Sequence, residues 1–280
     1  MTANDWNTKG QDALDDDNYA EAIECFGKAI EMEPEWSVPH YNLGLTHKFS
    51  KNWEECRVHN WKAHQLDPED EAAVWNLAIS SVALGDWESA RKAFAGIGLE
   101  VPDEPGPWTF NFGITPIRVN PEEHPEVVWA RRLDPVRASL VNVPLPDCGR
   151  RYGDIVLHDG APNGYRQLGE REVPVFDELK VLEVSSLHTF ELILESTESA
   201  ESLIAILEEH QLKAENWSKS VRFLCRACSE GRPHESHDHD LDEPPSDLIR
   251  LGVAAADQAL IEEAVGRWKA GSVKRLERVL

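Results

Sequence analysis

The residues best suited to chemistry lie between positions 225 and 239: Cys225-Arg226-Ala227-Cys228, then Gly231, His234, His237 and His239. Two thiolates three positions apart, leaving a strand into a Ser-Glu-Gly turn, can point at one ion. Five residues separate Cys228 from His234, shorter than in common zinc fingers but enough for the chain to fold back. Thiolate and imidazole together suit tetrahedral zinc, with sulfur at about 2.3 Å and nitrogen at about 2.0 Å. Cys225, Cys228 and two of the three histidines would close a structural site. Three ligands and a water would instead leave an open, catalytic-type position. Nickel or copper would compete for His237-Asp238-His239. Two other readings stand beside the metal: free thiols next to a solvated, acidic, histidine-rich loop over 229–245, and a redox dithiol. A structural ion would staple the preceding strand to that loop, offsetting the loop's ordering entropy.

The elements that must hold this cluster read as mixed. Alternating or β-rich runs predict strands over 110–119, 127–132, 137–143 and 154–158, the last entering the turn signal Asp159-Gly160 with 165–168 as its hairpin partner. Further strands are expected over 176–184 and 189–194. Residues 198–210 then switch to helical period, with Leu203, Ile204, Ile206 and Leu207 on one side, and a strand over 221–225 follows. After Pro244-Pro245, Ser246 with Asp247 reads as an N-cap for a helix over 248–256. A second helix over 257–268 ends at Gly271, and 273–280 fits either a strand or a short helix. The expectation for 105–280 is one α+β domain with a substantially β core.

Other groups carry weaker signals. Cys148 sits in a turn, Pro146-Asp147-Cys148-Gly149, either near the cluster or as a lone thiol. Cys25 and Cys56 read as packing residues, and His158-Asp159-Gly160 reads as a turn after a strand. Arg131-Arg132 and Arg150-Arg151, the densest basic pairs, read as solvated or salt-bridged. The phosphate-loop, dinucleotide-binding and serine-hydrolase motifs are absent, so the sequence supplies no positive sign of an enzyme.

The first hundred residues repeat. Prolines stand at 34, 68 and 102. In the same frame come Asn18-Tyr19, Asn52-Trp53 and Asp86-Trp87, and the small residues Ala22, Cys56 and Ala90. Gly10 and Gly44 share a register position that Ala78 takes in the third copy, and Phe26 and Phe94 share another where the second copy has Asn60. Small residues let helices cross closely, aromatics fill the gap, and proline stops the second helix of each pair.

This pattern resembles the tetratricopeptide repeat, a helix–turn–helix unit of 34 residues. Trp6, Gly10, Ala22, Phe26, Ala29 and Pro34 match it in the first copy; Leu43, Gly44, Ala63 and Pro68 in the second; Leu77, Ala90, Phe94 and Pro102 in the third. Ala13, His47 and Ser81 depart from it, standing where the family usually has tyrosine. The resemblance implies an all-α solenoid of three repeats over 1–104, followed by the α+β domain over 105–280. It also implies a concave groove for peptides or proteins, lined by the first helix of each pair. Asn7, Gln11, Tyr41, Asn42, Trp75 and Asn76 project onto that groove as a ladder of carboxamides and aromatics. A carboxamide can donate to and accept from an extended backbone, while a flat ring gives contact area at low entropy cost. One subfamily grips the C-terminal carboxylates of heat-shock chaperones with a lysine, arginine and asparagine clamp. Here the asparagine matches at Asn42, but the basic positions read Asn7, Ala72 and Asn76, which leaves an acidic tail without a cation. The same surface could instead pack on the chain's own second domain.

Charge narrows the partners. The 280 residues carry 28 basic and 51 acidic side chains, a net −23, with no basic cluster. Such a surface repels phosphate backbones, so neither nucleic acid nor an anionic membrane is expected as a partner. The start, Met1-Thr2-Ala3-Asn4-Asp5, is unlike a signal peptide, no apolar stretch is long enough to span a bilayer, and five cysteines do not read as a disulfide framework; a cytoplasmic protein is expected. The leading functional expectation is a non-enzymatic protein-interaction scaffold with a structural metal, zinc first, in its second domain. The alternative is a metal-handling or metal-dependent enzyme domain recruited to partners by the repeats.

Overall fold

Two interleaved series of helices dominate the first part of the computed structural model, which describes residues 1–168, 171–195, 197–218 and 248–280. Helices α1 (Ala3–Asp15), α3 (Ser37–Phe49) and α5 (Glu71–Leu84) start at residues 3, 37 and 71. Helices α2 (Tyr19–Met32), α4 (Trp53–Leu66) and α6 (Trp87–Gly96) start at 19, 53 and 87, so both series step by 34. The recurring polar–aromatic pairs mark where each second helix begins. The Asn18, Asn52 and Asp86 side chains accept from the backbone N–H of Glu21, Glu55 and Ser89, satisfying donors that the first turn leaves free. Thr2 and Asp5 close a reciprocal capping box on α1, at 3.2 and 2.7 Å.

The recurring small residues mark where helices cross. A Cβ placed on Gly10 would lie 2.6 Å from Phe26 Cε1, and one on Gly44 would strike the Asn60 amide. The large residue at 26 or 60 therefore requires glycine at its partner position. Among the described residues no further helix covers the stack beyond α6. Trp108, 5% exposed, fills that end instead, edge-on to Phe94 and Trp87 at centroid distances of 5.9 and 6.0 Å. Arg91 lies over its ring and donates to the Gly106 carbonyl at 2.9 Å, fixing the loop that carries it.

The chain divides into two compact units, Met1–Thr109 and Phe110–Leu280. The second contains a closed barrel of β1 (Ile114–Val119), β2 (Glu126–Arg132), β3 (Arg137–Leu140), β4 (Ile155–His158) and β7 (Phe176–Glu183). Neighbours run antiparallel except β1 and β7, which close the barrel in parallel, as an odd number of alternating strands requires. Ile117, Val128, Ala130, Leu140, Val156 and Phe176 fill the interior. The first strand starts at residue 114, not 110, because Gly113 turns with φ at +78° just before it. The segment 165–168 is a strand, β5 (Tyr165–Leu168), but it pairs with β6 (Arg171–Pro174) and not with β4. β4 is already occupied on both sides, by β3 and β7.

A four-stranded antiparallel sheet completes this unit, in the order β11 (Val273–Arg278), β8 (His188–Leu194), β10 (Ile249–Ala255), β9 (Lys213–Asn216). With α7 (Thr197–Glu209) after β8 and α8 (Gln258–Arg267) after β10, this is the split β-α-β arrangement. Leu192, Leu194, Leu203, Leu207, Leu251 and Ile261 are fully buried between sheet and helices. The helix expected over 248–256 is therefore a strand. Its apolar run pairs with β8 on one side and β9 on the other, and burial on both faces removes the alternation that would have marked it. Asp257 caps the next helix, so the boundary expected at 257 is a change from strand to helix. Residues 273–278 resolve as a strand. β9 had no counterpart among the expected strands. The strand expected over 221–225 lies outside the described residues.

Candidate functional site

Helices α1, α3 and α5 neighbour one another in one layer, with α2, α4 and α6 in the other. On the first layer, the Asn42 amide donates to Asn7 Oδ1 at 3.0 Å, joining two repeats through buried side chains. Among the described residues neither the Asn7 amide nitrogen nor the Asn42 carboxamide oxygen has another hydrogen-bond partner. Thr46 and Ser80 return their hydroxyls to the backbone carbonyls of Asn42 and Asn76, so those polar groups are consumed within their own helices. Asn76 is buried and is not bonded to Asn42. Tyr41 is half-buried, Gln11 exposed, and Trp75 turns its ring edge-on to Phe94 at 6.0 Å. The structure thus joins Asn7 and Asn42 directly, and it places Trp75 against the aromatic cluster at the end of the stack.

A second constellation lies between α3 and α4. His40 and His47, seven residues apart, share a face of α3, while Glu55 and His59, four apart, share a face of α4. The His59 ring lies between the other two, with centroids 5.7 Å from His40 and 5.8 Å from His47. One donor atom each from His47, Glu55 and His59 lie within 4.8 Å of one another. Sequence reading had taken His47 only as a departure from the repeat pattern and had passed over the rest. The two spacings were the available signal.

A cleft of about 520 Å³ opens between α4, α5 and α6, lined by Val58, Trp61, His64, Val74, Leu77 and Ala93. Trp61 and Val58 are half exposed there. Cys25, Cys56 and Cys148 are all buried free thiols, and burial pushes the Cys148 thiol far above its ordinary range. His158, the last residue of β4, is fully buried, its Nδ1 bonded to the Asp159 carbonyl at 2.8 Å. Arg150 pairs with Glu178, and Arg132 is half-buried over the Phe176 ring. The sequence-predicted ligands Cys225, Cys228, His234, His237 and His239 lie outside the described residues, as does the loop 229–245. No described helix is long and apolar enough to cross a membrane.

No protein-family model and no curated protein matches the chain. Solved structures similar to it are tetratricopeptide domains. The second such domain of Spaghetti, bound to an HSP90 peptide, is 20% identical with a TM-score of 0.34, covering 35% of this chain and 90% of its own. A domain of yeast Sti1 in a complex with pHsp70 is 18% identical with a TM-score of 0.33, covering 34% of this chain and 75% of its own. The Sgt2 domain from Aspergillus fumigatus is 19% identical with a TM-score of 0.32, covering 34% and 62%. By its own helix–turn–helix period, the segment 3–96 is a three-repeat tetratricopeptide array.

Proposed function

We propose that this chain is a non-enzymatic interaction scaffold whose α1, α3 and α5 layer binds an extended peptide through Asn7, Gln11, Tyr41, Asn42, Trp75 and Asn76. The observation that carries this reading is the Asn42–Asn7 bond. It aligns one uncommitted donor beside one uncommitted acceptor, which is what an extended backbone needs. The similar domains of Spaghetti and Sti1 are bound to chaperone peptides or chaperones. In this chain the positions that would clamp an acidic tail are Asn7, Ala72 and Asn76, none of them cationic. Residues 1–104 carry 8 basic and 21 acidic side chains, so the fitting partner is neutral or basic.

The test is fluorescence anisotropy with two labelled peptide pools, one basic and one ending in acidic residues. Basic peptides should bind, and Gln11→Ala and Asn42→Ala should each weaken them several-fold. Acidic-tailed peptides should not bind. Binding that ignores both substitutions would remove this layer as the recognition surface.

For the second unit we propose a structural zinc ion held by Cys225, Cys228 and two of His234, His237 and His239. The support is the ligand chemistry and spacing alone. Elemental analysis of untagged protein, repeated on Cys225→Ala/Cys228→Ala, checks it. Loss of about one equivalent is expected, and an unchanged metal content would refute it.

A further inference from the structure

We infer that His47, Glu55 and His59 form a binding site for a divalent transition-metal ion, zinc foremost, inside the second repeat. None of these three residues belongs to the proposed peptide surface or to the cysteine-containing segment.

A proton relay fixes the state of the central imidazole. His40 Nε2 lies 3.2 Å from the Pro34 carbonyl, which can only accept, so this nitrogen carries the proton. In the neutral imidazole its Nδ1 is then bare. That Nδ1 lies 3.4 Å from His59 Nδ1, so the latter must be the donor. In the neutral imidazole with its proton on Nδ1, the His59 Nε2 is also bare. The bare Nε2 faces the Glu55 carboxylate at 3.7 Å. In that tautomer two acceptors face each other. Close by, buried His47 Nδ1 has no hydrogen-bond partner among the described residues. Donor atoms gathered from three side chains, one of them buried, suit a cation.

The donor set selects the ion. Two imidazoles and one carboxylate suit zinc and its neighbours in the transition series, whereas magnesium and calcium prefer oxygen. Donors in a tetrahedral site with bonds of about 2.0–2.1 Å lie roughly 3.3 Å apart. The present spread of up to 4.8 Å must therefore contract. Glu55, half exposed on the first turn of α4, is the arm free to close it. His40 would orient His59 through their shared proton without touching the ion, the usual place of a positioning partner. Three protein donors leave a fourth position for water or for a group from a binding partner.

The test uses the untagged full chain in a Cys225→Ser/Cys228→Ser background, stripped with chelator and titrated with zinc alone by calorimetry. One equivalent should bind. His59→Gln and Glu55→Gln should each weaken it at least tenfold, and His40→Gln by about tenfold. His124→Gln, in an exposed loop of the second unit, should leave it unchanged. Zinc should raise the melting temperature of the background but not of the Glu55→Gln variant. Glu55 is exposed, so that substitution tests the site even if a histidine variant fails to fold. The inference is overturned by absence of binding, by binding indifferent to Glu55 and His59, or by binding that disappears only when His234, His237 and His239 are replaced.

Discussion

The indole nitrogen of Trp217 donates to the Val143 carbonyl at 3.0 Å, bonding the end of β9 to the chain that leaves the barrel after β3. The same ring lies flat on Gly252, where any Cβ would collide with it, and packs with Val143 and Ala254. This side chain and the Asn142 amide, which donates to Glu215 on β9, together staple barrel to sheet. Trp217→Phe keeps most of the packing and loses the bond, and should cost about 1 kcal/mol in urea unfolding. Trp217→Ala should cost about 3–5 kcal/mol. A negligible effect of the alanine variant would show that barrel and sheet do not depend on this contact.

Two glycines in the same helix hairpin should respond oppositely to alanine. At Gly10 the new methyl would meet Phe26, so Gly10→Ala should destabilise by about 1–3 kcal/mol. At Gly27, on α2, nothing lies within 4 Å of the new Cβ, so Gly27→Ala should stabilise by about 0.5–1 kcal/mol through helix propensity. Thermal melts of the pair settle it. Two changes of the same sign would contradict the crossing geometry.

The solenoid was legible because each of its devices recurs: the caps at 18, 52 and 86 and the prolines at 34, 68 and 102 announce a period that no single segment could. The second unit has no such redundancy. Residues 249–255 look helical after Ser246 because their real determinants, β8 and β9, are distant in sequence. The pairing of 165–168 differs from the local expectation because β4 finds its second partner some twenty residues later, in β7. For the groove, the residue types were readable, but the turning of Trp75 onto Phe94 depends on a packing cluster that only three dimensions reveal. The histidine stack escaped because its members alternate between two helices, each with an unremarked spacing.

His158 should write a pH dependence into the second unit. Burial pushes it from 6.5 down to about 4, with the Arg132 cation also opposing protonation. Between those values the unfolded chain takes up a proton that the folded chain refuses, so stability falls as pH drops from about 6.5 to about 4 and is fully present above that window. The contribution is roughly 3 kcal/mol across it. His158→Gln should flatten this part of the stability–pH curve relative to the unsubstituted chain. Parallel curves would show that His158 protonates freely in the fold.

Thiol chemistry separates the cysteines. Cys25, Cys56 and Cys148 are buried, and burial raises the Cys25 and Cys148 thiols, so all three should resist alkylation until the chain unfolds. Alkylation of the native protein, read by peptide mass mapping, should leave these three unlabelled, and denaturant should expose them. Fast modification of Cys148 would mean that the barrel opens readily.

Arrays of this architecture lengthen by copying a helix pair, and each copy needs an uncovered face on which to stack. Trp108 occupies that face after α6, held by Arg91 and the Gly106 carbonyl. A fourth pair added there would have to evict the indole, whereas one inserted at the 36/37 or 70/71 junction would meet the same neighbours as existing repeats. The copy number of this array is open to change from within and closed at its downstream end.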